Sequence, residues 1–243
     1  MLDPQSSFRL DPSVIQEAAK SNGILDPANP KNFAKSPVSA NNFINLCVGA
    51  KVTNGEQIKE GSCNPTPMGF LPSNTHMPSV KIVRPNRKSK LEACEDFNIT
   101  VALKNIQIGL FTSPPNTYYL APQFLNPDGF IKGHLHVVAQ LARRHEHFDA
   151  QIFAFFEGIS EPAIGGKVNV TVSGGLPNGI YRISTITTAM NHQTVALPVA
   201  QRGAVDDAVY VKVGTGVSSD DIDGSIDSIS QECQKAKGAR KES

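Results

Sequence analysis

The chain has 243 residues, enough to bury the core of one β-sandwich with smaller additions. Its 23 Lys and Arg nearly cancel its 22 Asp and Glu, and at a net charge of +1 no long-range field favours nucleic acid or an anionic membrane as partner. No apolar run approaches the ~20 residues of a membrane helix, so membrane insertion is not expected, and Met1 to Leu10 lacks the basic-then-apolar order of a signal peptide.

Residues 1–77 are rich in Asn, Pro and Ser and read as an irregular arm packed on the main domain. One short helix is expected at Pro12 to Ser21, where Val14, Ile15, Ala18 and Ala19 form a narrow apolar stripe behind Asp11 as cap. The apolar spots Phe43 to Val48 and Met68 to Leu71 are too small to bury themselves and need a larger body. Cys47 and Cys63 bracket a polar stretch containing Gly55 and Gly61 that can turn back on itself, so they are expected to pair. Cys94 and Cys233 then remain, either as a second disulfide tying the C-terminal segment to an early strand or as two buried thiols. No CxxC occurs, so the cysteines carry no metal reading.

From Val80 the apolar period becomes two. The runs Val80 to Arg84, Phe97 to Leu103, Phe130 to Gln140, Ala150 to Phe156, Lys167 to Val172, Gly179 to Thr187, Gln193 to Val199 and Ala208 to Val213 are rich in Val, Ile, Thr and Phe. Turn chemistry separates them, as at Pro127-Asp128-Gly129, Gly165-Gly166 and Pro177-Asn178-Gly179. Short strands without long helices between them predict an all-β fold, an antiparallel immunoglobulin-like β-sandwich over residues 78–213, with a small barrel as the alternative. Residues 214–243 read as a C-terminal helical tail, because Ile222, Ile226, Ile229 and Cys233 recur at helical spacing from Ser218 to Lys237.

The stretch Gly133-His134-Leu135-His136-Val137-Val138 is the most informative for chemistry. Alternate residues of a strand share a face, so His134 and His136 stand about 6.6–7 Å apart along the backbone, able to converge on one ion. His192, at the start of a later strand, is the expected third ligand, and three His with an open position suit zinc or copper. The alternatives are strand residues hydrogen-bonded to turn groups, or a metal-free pocket using the same His. Gln123 and Tyr119 are expected to line that pocket, whereas Asn126 to Gly129 is turn chemistry. Arg143-Arg144-His145-Glu146-His147 reads as a solvated loop. Asp206 and Asp207 are expected to cap a turn and pair with Arg202 rather than act as acid and base. Gly-x-Ser-x-Gly, P-loop, Rossmann and HExxH patterns are absent, which lowers the weight of the usual enzyme classes. There is no Trp, so stacking on a sugar would fall to Tyr118, Tyr119, Tyr181 or Phe. Asn98-Ile99-Thr100 and Asn169-Val170-Thr171 are glycosylation acceptors. With an even set of four cysteines they point to an oxidising compartment and a secreted chain whose leader has been removed.

Taken together, Asn41 to Cys47, Gly61-Ser62-Cys63-Asn64-Pro65, Gly133 to Val138, Gly175-Leu176-Pro177-Asn178-Gly179-Ile180-Tyr181-Arg182, Asn191-His192-Gln193 and Pro198-Val199-Ala200-Gln201-Arg202-Gly203 resemble a family of secreted fungal proteins. Some members carry a ribosomal label that nothing in these residues supports. The resemblance runs from about the first helix to Val213 and includes His134, His136 and His192; it implies fungal origin and export, and no activity. Two functions stand at this point: an exported binding or surface-associated protein with a His-lined pocket, and an enzyme on a small molecule or glycan using the same His as acid–base groups or metal ligands.

Overall fold

The computed structural model describes residues 4–22, 37–86, 88–115, 117–142, 147–215 and Cys233. The chain divides into two compact units, a smaller one of Met1–Asn54 with Ile58–Pro65 and a larger one of Gly55–Gln57 with Thr66–Ser243.

Among its described residues the smaller unit has turns and short 3-10 segments in place of longer elements. Where a helix was expected there are two 3-10 turns, Pro12–Val14 and Glu17–Lys20, separated by extended backbone at Ile15 and Gln16. Asp11 caps the first by accepting from the Ser13 amide at 2.8 Å. The helix fails because Asn42 takes its backbone groups: its side-chain amide donates to the Val14 carbonyl at 2.9 Å and accepts from the Gln16 amide at 3.1 Å. Val14 is exposed, so no buried face repays the cost of nucleating a helix. Cys47 and Cys63 form a disulfide, and the Cys63 backbone is held by Lys51 and Thr53.

Among the described residues the larger unit contains eight strands: β1 (Ser79–Arg84), β2 (Phe97–Lys104), β3 (Ile106–Gln107), β4 (Ile131–Leu141), β5 (Phe155–Ile159), β6 (Lys167–Val172), β7 (Gly179–Ala189) and β8 (Ala208–Val213). One sheet has the order β1-β2-β6; the other runs β3-β4-β7-β8, with β5 pairing alongside β4. All pairings are antiparallel except β3 with β4. This arrangement puts β1, β2 and β6 in the A, B and E places of an immunoglobulin sandwich and β4, β7 and β8 in the C, F and G places. The core lies between the sheets, joining Ile99, Val101, Val168 and Val170 of one to Leu135, Val137, Tyr181, Ile183 and Val211 of the other. Period-two patterning produces it directly: in β6, Val168, Val170 and Val172 are buried while Lys167, Asn169 and Thr171 are exposed.

Two expected strands are corrected. Residues 149–154 form a turn, because the Gln140 side chain donates to the carbonyls of Asp149 and Ile152, and the strand begins only at Phe155. Residues 193–199 form no strand, because the buried Gln123 amide engages both the amide and the carbonyl of Ala196, as a neighbouring strand would. Cys94 and Cys233 are joined by a second disulfide, and Cys233 is buried. The remainder of the expected C-terminal helix, and Arg143 to Glu146, lie outside the described residues; His147 is exposed. Among the described residues no helix is long and apolar enough to cross a membrane.

Candidate metal centre

Strand β4 separates two environments by its alternation. Leu135, Val137 and Ala139 point into the core and are fully buried, which sends His134 and His136 to the outer face of the five-stranded sheet. Small neighbours make room there. Gly133 lies so close to β7 that a Cβ would stand 2.0 Å from the Thr188 carbonyl oxygen, and Gly158, paired with His136, leaves the imidazole a space that a Cβ would enter at 3.2 Å from Nδ1.

His192 arrives by a route different from the expected separate strand. It sits in the turn that ends β7, and because Gly133 pairs with Ala189, that turn returns next to the start of β4. The buried Asn191 anchors it, donating to the Ala121 carbonyl and to Gln193 Oε1 while its own carbonyl accepts from the Tyr119 amide. His192 itself has φ +74°, a left-handed conformation held by its amide bond to the Ala189 carbonyl.

The three imidazoles form one cluster, with a ring nitrogen from each lying within 4.8 Å of the others. The His134 ring centroid is 4.8 Å from that of His136 and 4.7 Å from that of His192, in edge-to-face arrangements. His134 is 3% exposed, and neither of its nitrogens has a hydrogen-bond partner; Nδ1 of His136 also lacks one. His192 differs. Its Nε2–H donates to the Thr112 carbonyl at 2.7 Å, which fixes the tautomer and leaves Nδ1 with its lone pair. Burial pushes the His134 imidazole down to about 3, assisted by His136 and His192; the Leu110 carbonyl opposes this weakly without reaching hydrogen-bond geometry. Burial, then His192, lowers His136 as well. Burial thus favours the neutral form of His134 and His136, the protonation state in which imidazole ligates a metal.

Aromatic rings surround it. Phe111 stands 5.7 Å from His134 and 6.4 Å from His192, Phe156 stands 4.9 Å from His136, and Tyr118 stacks on His192 at 5.6 Å. Phe111 and Phe156 are exposed. The Tyr118 hydroxyl is pushed up to about 12, first by burial and then by its hydrogen bond with Tyr119. Of the other residues singled out by sequence, Tyr119 stacks behind Tyr118 at 4.1 Å, one ring removed from His192. Gln123 is committed to the backbone of Phe70 and Ala196, and Tyr181 is a core residue. Asp206 and Asp207 do not pair with Arg202, which donates to the Val199 and Ala200 carbonyls; Asp206 accepts from Thr185 and Thr187, and Asp207 from the amides of Ile82 and Ala208. They tie the entry of β8 to β7 and β1. Phe111, Thr112, Phe156 and Gly158 escaped the sequence reading, their only signals being an aromatic beside Pro114-Pro115 and a glycine inside an apolar run.

Residues 80–214 match the model of the CLU5d N-terminal domain, more than half of the chain. The chain belongs to the CLU5d N-terminal domain family. The match opens inside β1 and closes just beyond β8, so the family domain is the sandwich and contains all three His. A "Pathogenicity cluster 5 protein d" from Colletotrichum graminicola is 42% identical over 211 residues, covering 84% of this chain. The chain spans 43% of that relative's length. No solved structure matches the chain. These relationships support fungal origin, in agreement with the resemblance seen in the sequence.

Proposed function

We propose that this CLU5d N-terminal domain is the metal-binding sandwich of an exported fungal protein, holding one zinc or copper ion through His134, His136 and His192. The carrying observation is His134, nearly fully buried with both ring nitrogens unpaired and facing two further imidazoles. An unsatisfied buried polar group costs about 1–3 kcal/mol, and an ion bound among the rings removes that cost. Ligand nitrogens at about 2.0–2.1 Å from a tetrahedral ion lie about 3.4 Å apart, so the cluster must contract modestly, which rotation of the less buried His136 and His192 supplies. The Thr112 carbonyl is the outer partner that orients His192. Three protein ligands leave a fourth position for water or for a small molecule or glycan, and Phe111 and Tyr118 offer apolar surface beside it. Two disulfides support export. On this reading the relative's description as a pathogenicity cluster protein extends to a part in pathogenicity for this chain.

The test is metal analysis of full-length protein purified without a His tag, followed by titration of the apoprotein with zinc and with copper. One equivalent of one ion is expected, and free metal at 100 times Kd should stabilise the fold by about 2.7 kcal/mol. A His134→Ala/His136→Ala variant should lose that response. Wild-type protein whose melt is unmoved by either ion would overturn the proposal.

A further inference from the structure

We infer that Asn98 and Asn169 both carry N-linked glycans, side by side on the outer face of the three-stranded sheet, closing that face to protein partners. The inference rests on the export reading.

The two acceptor tripeptides are register partners. In the β2–β6 pairing Asn98 lies opposite Thr171 and Thr100 opposite Asn169, so the sequences meet head to tail. Ile99, Val101, Val168 and Val170 turn inward, and Asn98 and Asn169 are exposed on the far side. Their hydrogen bonds are reciprocal: Thr100 Oγ1 donates to Asn169 Oδ1 at 2.7 Å, and Thr171 Oγ1 donates to Asn98 Oδ1 at 2.8 Å. In both pairs the protein takes the amide oxygen and leaves Nδ2, the atom a sugar would occupy, without a hydrogen bond to any described residue. A glycosylated asparagine keeps its carbonyl oxygen, so the same pairing survives attachment.

The step joins Asn Nδ2 to C1 of the N-acetylglucosamine at the reducing end of a lipid-diphosphate-linked oligosaccharide. The C1–O bond to the diphosphate breaks, the diphosphate leaves with the lipid, and the amide proton is released. The flanking positions on this face, Lys81, Arg84, Ala102 and Lys167, carry one small and three long flexible side chains, which can turn aside for the product.

Placement has two consequences. The candidate metal centre is on the outer face of the opposite sheet, so sugars on β2 and β6 leave it accessible. Asn169 and Thr171 also line a cleft of about 730 Å³ between β5 and β6, where Glu157, Glu161 and Lys167 line it too. Strand β6 is an edge of its sheet, and a glycan at Asn169 overhangs an edge that would otherwise offer pairing to another chain.

The experiment directs the full chain through a yeast secretory pathway with a supplied leader and measures its mass before and after enzymatic removal of N-glycans. Two glycans are expected, with deglycosylation converting both Asn98 and Asn169 to Asp. Asn98→Gln and Asn169→Gln should each remove one glycan and the double variant both. Thr100→Ala should remove only the Asn98 glycan, whereas Thr100→Ser should keep it. Disulfide-bonded protein in the medium with either asparagine unmodified overturns the inference. Export fails separately if the natural full-length protein, expressed untagged in a fungus without a supplied leader, remains inside the cell, because the supplied leader of the first experiment brings both acceptor sites to the glycosylation machinery in either case.

Discussion

Between about pH 6.5 and pH 3, His134 is neutral in the fold and protonated in the unfolded chain. The unfolded state then binds more protons, so stability rises with pH across this window; it is complete above the unfolded value and is lost as pH falls towards the folded one. His136, also lowered, adds in the same direction. For apoprotein this predicts a melting temperature that falls steeply from pH 7 to pH 4. His134→Leu removes both the proton acceptor and two unpaired nitrogens while keeping apolar volume. The variant should melt at or above wild type at pH 7, exceed it clearly at pH 5, and show no response to zinc or copper. Melting curves of variant and wild type that stay parallel from pH 7 to pH 4 would count against a buried neutral His134. Gly158 bears on His136, since the space it leaves at His136 Nδ1 exists only because its side chain is absent.

Three elements of the backbone depart from local patterning, and in each a distant side-chain amide takes the groups a regular element would have used. Asn42 intercepts the amide of Gln16 and the carbonyl of Val14, Gln123 engages Ala196, and Gln140 gathers the carbonyls of Asp149 and Ile152. Periodicity cannot see such bonds, whereas β2, β6 and β8 were legible because each has one face in the core and one in solvent. The pairing of His134 with His136 was legible for the same reason, and their separation from Leu135 and Val137 followed from it. The approach of His192 was correct in outcome but comes from the β4–β7 register, and the rings of Phe111 and Phe156 reach the cluster by contacts that no spacing announces. Gln123→Ala tests the bridging role at this scale. It deletes bonds to the Phe70 carbonyl and to both backbone groups of Ala196, so the loss should be about 3 kcal/mol. Gln123→Glu, which keeps the acceptor for the Ala196 amide and loses the donor, should also destabilise. A Gln123→Ala protein within ~0.5 kcal/mol of wild type by denaturant unfolding would show that water replaces the amide.

At the scale of the whole molecule each disulfide belongs to one of the two compact units. Cys47–Cys63 lies in the smaller and spans a sequence separation of 16, while Cys94–Cys233 lies in the larger and spans 139. If restriction of the unfolded chain dominates, loop-closure entropy assigns about 3 kcal/mol to the first and about 5 kcal/mol to the second. The longer loop encloses every strand from β2 to β8 and all three His, so its bond constrains the chain that forms the site. Cys94→Ala/Cys233→Ala should therefore lower the transition that shifts with added metal. Cys47→Ala/Cys63→Ala should leave that transition near its original temperature and instead expose residues 51–65 to proteolysis, because the Cys63 backbone bonds to Lys51 and Thr53 depend on the staple. Calorimetry of both double variants with and without metal separates the cases. Equal lowering of the metal-responsive transition by the two variants would contradict the assignment of one staple to each unit.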